Sequence, residues 1–218
     1  MVQAGEKGKP NLLDEVKKYL KDKYKKPGNV FVGLVHRLDK PVSGIVIFAK
    51  TSKGASRLSE QFRNREIKKT YTALVEGQLS GEGQLIHYLK KDPESLKAVI
   101  SDTDGDDFQK SELDYSVIKK SEKYSLVKIN LKTGRFNQIR AQFSHIGHPI
   151  VGDTLYGAKK PTGTLTLSLP AMRDSNSSNG IGLCATEIEF KTATTGEVKK
   201  IKIDYPKEWD RVMFPPSL

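Results

Sequence analysis

The sequence predicts an α+β domain built on one large, mainly antiparallel sheet with helices packed around it. Two helical patterns precede a strand-rich half, six later stretches alternate apolar and polar residues, and most of the connections read as turns. Short turn-like connections favour antiparallel neighbours, because a parallel pair needs a long crossover.

The elements follow in order. Asn11 can cap a helix in which Leu12, Leu13, Val16, Tyr19 and Leu20 recur on one side, ending before Pro27-Gly28. Its other side carries Lys17, Lys18, Lys21, Lys25 and Lys26, a solvated face that could also meet phosphates. A second helix starts after Ser52, with Ala55, Leu58, Ser59 and Phe62 inward and Arg57, Arg63 and Arg65 outward. From Thr70 to Val75 the side chains alternate as a strand, with Tyr71, Ala73 and Val75 on one face and Thr70, Thr72 and Leu74 on the other. Strand-like alternation continues over 85–89, 113–118, 125–131, 164–169, 183–190 and 198–203. A further helix carries Ile139, Phe143 and Ile146 at spacings of four and three, an apolar face bordering Arg140. Polar segments at 101–110 and 173–180 read as surface loops.

Composition narrows the function classes. A chain of 218 residues with 36% hydrophobic content supports one sizeable core, and the chain reads as a single catalytic domain over 1–218. Thirty-seven Lys and Arg against 26 Asp and Glu leave a net charge of +11, which favours a polyanionic partner. The lone cysteine, Cys184, excludes an internal disulfide and a thiolate metal cluster, fits a reducing cytoplasm, and reads as a small buried residue. No long apolar run suggests a membrane span, and the N-terminus lacks a secretory apolar region. His36, His87, His145 and His148 lack a ligand spacing, so no metal is expected. The acidic run from Asp102 to Asp107 has its glycine at the wrong position for a calcium loop and reads as a turn. Phosphate-binding and dinucleotide fingerprints are absent, as are internal repeats, and neither a cofactor nor an obligate protein partner is implied.

Asp39 carries the chemistry. In the run from Val35 to Gly44, an extended backbone would project Arg37 and Asp39 to one side and His36 and Leu38 to the other. Pro41 fixes its own φ and biases Lys40 away from helix, and Gly44 permits a turn, so the backbone after Asp39 should be held. On its own this tetrapeptide, HRLD, also fits a strand end whose aspartate caps a turn.

Three motifs in order decide the matter. HRLDKPVSGIVIFAKT, KTYTALVEG and TGRFNQIRAQFSHIGHPIVGD together resemble the RluA family of RNA pseudouridine synthases, over residues 31–156 and more loosely to Trp209. The resemblance implies a pseudouridine synthase catalytic domain with its cleft between sheet halves. It implies that a uridine in structured RNA, ribosomal or transfer, is detached from its ribose, turned and rejoined through C5, without water or cofactor. Asp39 matches the essential aspartate; whether it attacks the ribose, attacks the base or draws a proton to give a glycal stays open. Arg140 matches the arginine paired with that carboxylate, a role suited to a group that stays protonated and binds carboxylates bidentately. Tyr71 matches the tyrosine that stacks on the target base and helps remove the C5 proton. The resemblance further implies RNA contacts from Arg37, Lys69, Arg135 and Gln138, with Arg37 assisting eversion of the target nucleotide.

The chain departs from the pattern in places. Asn137 and Gln142 stand where many members carry His, and both retain hydrogen-bonding capacity. Leu183-Cys184-Ala185 replaces a Leu-His-Ala run. The usual first strand, with its Asn-Lys-Pro-Ala-Gly turn, is missing ahead of Met1, and an S4-like RNA-binding domain has no room. An RNA-binding module that has lost turnover is the runner-up. A glycoside hydrolase ranks last, because Glu60 offers no paired acid beside Asp39.

Overall fold

The first two helices begin where a side chain accepts from the first turn. In the computed structural model, which describes residues 11–159 and 180–215, Asn11 Oδ1 accepts from Asp14 N at 3.1 Å and starts α1 (Leu12–Lys23). Thr51 Oγ1 accepts from Gly54 N at 3.0 Å and starts α2 (Ser52–Arg63). Both satisfy otherwise orphaned backbone donors. Between the helices lie three two-residue strands, β1 (Gly33–Leu34), β2 (Ser43–Gly44) and β3 (Phe48–Ala49).

The described residues divide into two compact units. The first takes in residues 11–40, 45–67 and 189–200. Within it β1 pairs antiparallel with β3, matching Gly33 to Ala49 and Leu34 to Phe48. Leu58 of α2 is buried, Ala55, Ser59 and Phe62 are half-buried, and Arg57, Arg63 and Arg65 are exposed, as the spacing predicts. Gln61 exchanges two 2.9 Å hydrogen bonds with the backbone of Lys191, and Arg57 donates to Ala193 O. Along α1 the apolar face is covered less than its pattern suggests: Leu20 is buried, but Leu12 and Tyr19 are exposed.

The second unit, residues 41–44, 68–159, 180–188 and 201–215, holds most of the sheet. Its strands are β4 (Lys68–Glu76), β5 (Glu82–Lys91), β6 (Ala98–Ser101), β7 (Gln109–Lys120) and β8 (Tyr124–Leu131), followed by the first part of β9 (Leu183–Lys191) and the end of β10 (Val198–Lys202), whose remaining residues belong to the first unit. The spatial order is β10-β9-β4-β8-β7-β5-β6. The β4–β8, β8–β7, β7–β5 and β5–β6 pairs are all antiparallel, as short connections require. The expected strand at 164–169 and the loop at 173–179 lie outside the described residues.

Two features depart from the sequence reading. Gly44, expected to permit a turn, instead joins Ser43 in β2, which pairs parallel with Cys184 and Ala185 of β9. Its φ is +122°, and a Cβ there would lie 2.4 Å from Ala185 N and O, so only glycine fits this approach. The second departure is α4 (Glu208–Met213), too short to show a helical period, which buries Trp209, Val212 and Met213 against Leu74, Leu126, Val151 and Cys184.

A helix after β8, α3 (Gln138–His145), packs against β5 and β6, with Ala141 in a cluster with Leu89, Ala98 and Tyr156. Phe143 is fully buried and meets Tyr115 edge-on at 5.8 Å. Burying such a ring stabilises by about 1.5–3 kcal/mol, which anchors α3 to the sheet.

Candidate active site

In the first unit, the segment 35–39 runs without regular structure from β1 to a turn at Lys40-Pro41. Leu38 is buried while Arg37 is exposed and Asp39 half-buried, the division an extended backbone predicts. His36 stacks on Phe62 with centroids 4.7 Å apart, and its Nε2 accepts from Ile47 N at 2.8 Å. These contacts fix the backbone three residues ahead of Asp39. The chain enters the second unit at Pro41, within that turn.

In the second unit, Lys69 and Tyr71 stand two apart on β4 and share a face, both half-buried. Tyr71 is in register with Ile129 of β8. On the opposite face Thr70 Oγ1 donates to Asn130 Oδ1 at 3.2 Å, and Thr72 bonds Thr186 at 3.1 Å.

Arg140 is the most rigidly held of the expected residues. It is 5% exposed and makes a bidentate pair with Asp153, Nε to Oδ2 at 2.6 Å and Nη2 to Oδ1 at 2.8 Å. Nη1 donates to Asn137 Oδ1 at 3.1 Å, and the guanidinium lies 4.9 Å from the centre of the Tyr156 ring. Tyr156 in turn accepts at its hydroxyl from Asn137 Nδ2 at 3.0 Å and from Ala98 N at 2.7 Å. Burial raises the Tyr156 phenol above its ordinary range, so it stays neutral. Asn137 adopts a left-handed backbone, φ 50°, that turns its amide inward. The departure from histidine at this position therefore preserves a hydrogen-bonded contact to Arg140. Asp153 and Tyr156 were missed by the sequence reading, although Asp153 is the last residue of the third motif and Tyr156 lies three residues beyond it.

Gln138, expected to contact RNA, is 3% exposed, and its amide is engaged within the protein. Its Oε1 accepts from Thr133 Oγ1 at 2.8 Å and Arg135 N at 3.0 Å, and its Nε2 donates to Glu112 O at 3.1 Å and Gln142 Oε1 at 3.0 Å. Gln142 Nε2 then donates to Leu85 O at 3.2 Å and to His87 Nδ1 at 3.0 Å. Backbone groups at Arg135, Glu112 and Leu85 set the direction of every bond in this chain. Arg135 itself is half-buried, its Nε donating to Lys110 O at 3.2 Å.

The fold also assembles a cluster that residue spacing conceals. His87 of β5, His145 of α3 and Asp102 from the turn after β6 bring their ligand atoms within 4.8 Å of one another. His145 Nε2 lies 2.8 Å from Asp102 Oδ1 and His87 Nε2 lies 3.7 Å from it. The donor set does not fit a metal. Because His87 Nδ1 accepts from Gln142, the neutral ring carries its proton on Nε2, where a metal would need the lone pair. A metal-bound histidine instead donates from its other nitrogen to an oxygen acceptor.

Comparison with known proteins gives the wider context. Residues 2–145 match the family model described as RNA pseudouridylate synthase. A tRNA pseudouridine synthase C of Vibrio vulnificus (strain CMCP6) is 32% identical over 198 residues, covering 84% of this chain and 78% of the relative. One of the same name from Pasteurella multocida (strain Pm70) is 38% identical over 135 residues, and there the match spans 56% of this chain and 55% of the relative. Among solved structures, human RNA pseudouridylate synthase domain containing 4 shares the fold with a TM-score of 0.71 at 21% identity, covering 92% of this chain and 81% of that one.

Proposed function

Since this chain belongs to the RluA-type RNA pseudouridine synthases, and is by that membership an isomerase acting on RNA, we propose that it converts uridine to pseudouridine in transfer RNA, with Asp39 as the essential carboxylate. Transfer RNA is chosen over ribosomal RNA because the relatives with the matching chain carry that substrate in their names. Arg140 is the cation that keeps the reacting carboxylate ionised, and Tyr71 is the ring against the target base. Arg37, exposed and two residues from Asp39, takes part in everting the nucleotide.

The observation that best supports this reading is the fixed, buried guanidinium of Arg140 within the third motif. An arginine held on one edge by Asp153 keeps its charge and aim through a reaction cycle, as electrostatic preorganisation requires. Such a cation makes it less costly for a carboxylate to stay ionised in a dry site. The reaction breaks the bond from ribose C1′ to N1, forms one from C1′ to C5, and releases the C5 hydrogen as a proton that solvent replaces at N1. Nothing is oxidised or reduced.

Tritium release from [5-³H]uridine-labelled RNA tests the proposal. Wild type should release tritium from a tRNA pool and not from ribosomal RNA, and Asp39→Asn should abolish release while RNA binding remains. Tight RNA binding by the wild type with no release from either pool would instead make the chain a binding module.

A further inference from the structure

The turn between β8 and α3 shows a feature that the family motifs do not require. Asn137 points inward to Arg140, whereas the residue before it, Phe136, leaves its ring 42% exposed. Lys91, the last residue of β5, places Nζ 5.1 Å from the centre of that ring. A second lysine borders the same turn: a Cβ at Gly134 would lie 2.9 Å from Lys69 Nζ, so glycine here makes room for the ammonium.

Charge pairing separates these lysines from their neighbours. Lys90, Lys110 and Lys132 each meet a carboxylate, Asp107 at 3.1 Å, Glu112 at 3.4 Å and Asp114 at 2.8 Å. Among the described residues, Lys69 and Lys91 meet none. Burial lowers the Lys69 ammonium below the usual lysine range, a cost that no neighbouring acid offsets. An uncompensated pair of cations beside an exposed aromatic face is the chemistry that single-stranded nucleic acid recognises: phosphates on the ammonium groups and a base on the ring.

We propose that Phe136 is a stacking platform for an RNA base flanking the isomerised uridine, with Lys91 and Lys69 on the adjoining phosphates. This rests on the RNA-modifying reading above. It adds a base contact one residue from the Arg140 cradle, and so a means of preferring RNAs whose flanking nucleotide is unpaired. Phe136 keeps part of its ring for the ligand, and the Lys91 ammonium already lies over that ring, 5.1 Å from its centre.

The test uses an oligouridylate carrying one 2-aminopurine, whose fluorescence falls when the base stacks. Wild type should quench it. Phe136→Leu keeps the apolar bulk but removes the aromatic face; it should lose the quench and bind about 5- to 100-fold more weakly at fixed salt. Phe136→Trp should restore both. Lys91→Gln should weaken binding and reduce the slope of log affinity against log salt by about 1. A Phe136→Leu protein that quenches and binds as wild type overturns the platform. Tritium release measured on the same proteins keeps the two proposals separate. A wild type that quenches but never releases tritium removes the isomerase reading alone. A wild type that turns over while Phe136→Leu equals it in quench, affinity and rate removes the platform alone.

Discussion

Helix α3 carries two side-chain contacts to carboxylates, of nearly equal length and in opposite surroundings. Near its start Arg140 grips Asp153 at 2.6 and 2.8 Å, with the Asp153 side chain 2% exposed. At its end His145 meets Asp102 at 2.8 Å, with the Asp102 side chain 74% exposed. Distance alone would rank them together. Burial separates them: a desolvated pair becomes costly when one member is removed, whereas an exposed pair exchanges its partner for water. The first therefore suits a site that must hold its aim, the second a surface contact that water can replace.

The largest expected effect comes from breaking the buried pair on one side only. Asp153→Ala leaves the Arg140 charge without its main partner and should destabilise the fold by about 3–5 kcal/mol, read from the urea midpoint. Adding Arg140→Met to it removes the stranded charge, so the double variant should be more stable than Asp153→Ala alone. If the double variant loses the sum of the two single losses, the pair is no more than two independent packing contacts. Catalysis should separate from stability here. The double variant regains fold but not tritium release, because the cation is gone.

An intermediate effect lies in the polar chain between the two contacts. Gln142→Leu removes the partner that His87 Nδ1 and Leu85 O find in Gln142, and one of the two acceptors of Gln138 Nε2. One orphaned buried group costs about 1–3 kcal/mol, so the variant should fall between the Asp153 and Asp102 variants in stability. Gln142→His keeps one donor and one acceptor and should lose less. Equal losses for Leu and His would show that shape, not hydrogen bonding, decides this position.

How much of this was legible follows from the range over which each signal acts. The helix starts at Asn11 and Thr51 and the alternation of β8 and β9 are local and fall within a residue or two of the sequence pattern, whereas β5 and β7 begin three and four residues earlier than their alternation shows. Arg140 was legible through its motif. Its partner was not, because Asp153 lies thirteen residues on and nothing in residue spacing shows that a guanidinium and a carboxylate face each other inside a core. The internal bonds of Gln138 were hidden for a related reason: nothing in residue spacing shows its amide spanning Thr133, Glu112 and Gln142. The cluster of His87, Asp102 and His145 joins three elements, so only the pairing of β6 with β5 and the packing of α3 create it. The short β2 and α4 were unreadable because two and six residues hold fewer than two periods, so no repeat can show.

The smallest effect sharpens the exposed contact through pH. Burial, and then His145, lower the His87 pKa below its ordinary value of 6.5, while Asp102 opposes them. Above pH 6.5 folded and unfolded chains both carry this ring neutral, and its contribution to stability is complete. As pH falls below 6.5 the unfolded chain takes up a proton that the folded ring resists, so stability declines until the folded His87 also titrates. His87→Gln should flatten that acid limb. Asp102→Asn should steepen it, since the carboxylate that favours the charged ring is lost, while stability at neutral pH changes by less than about 1 kcal/mol. Comparing the two in a His145→Gln background removes the second imidazole, so any remaining difference belongs to His87 and Asp102. Urea midpoints between about pH 7.5 and about pH 5 read both effects. A profile for Asp102→Asn parallel to its parent would mean that the exposed carboxylate, at 3.7 Å from His87 Nε2, is screened by water and governs neither histidine.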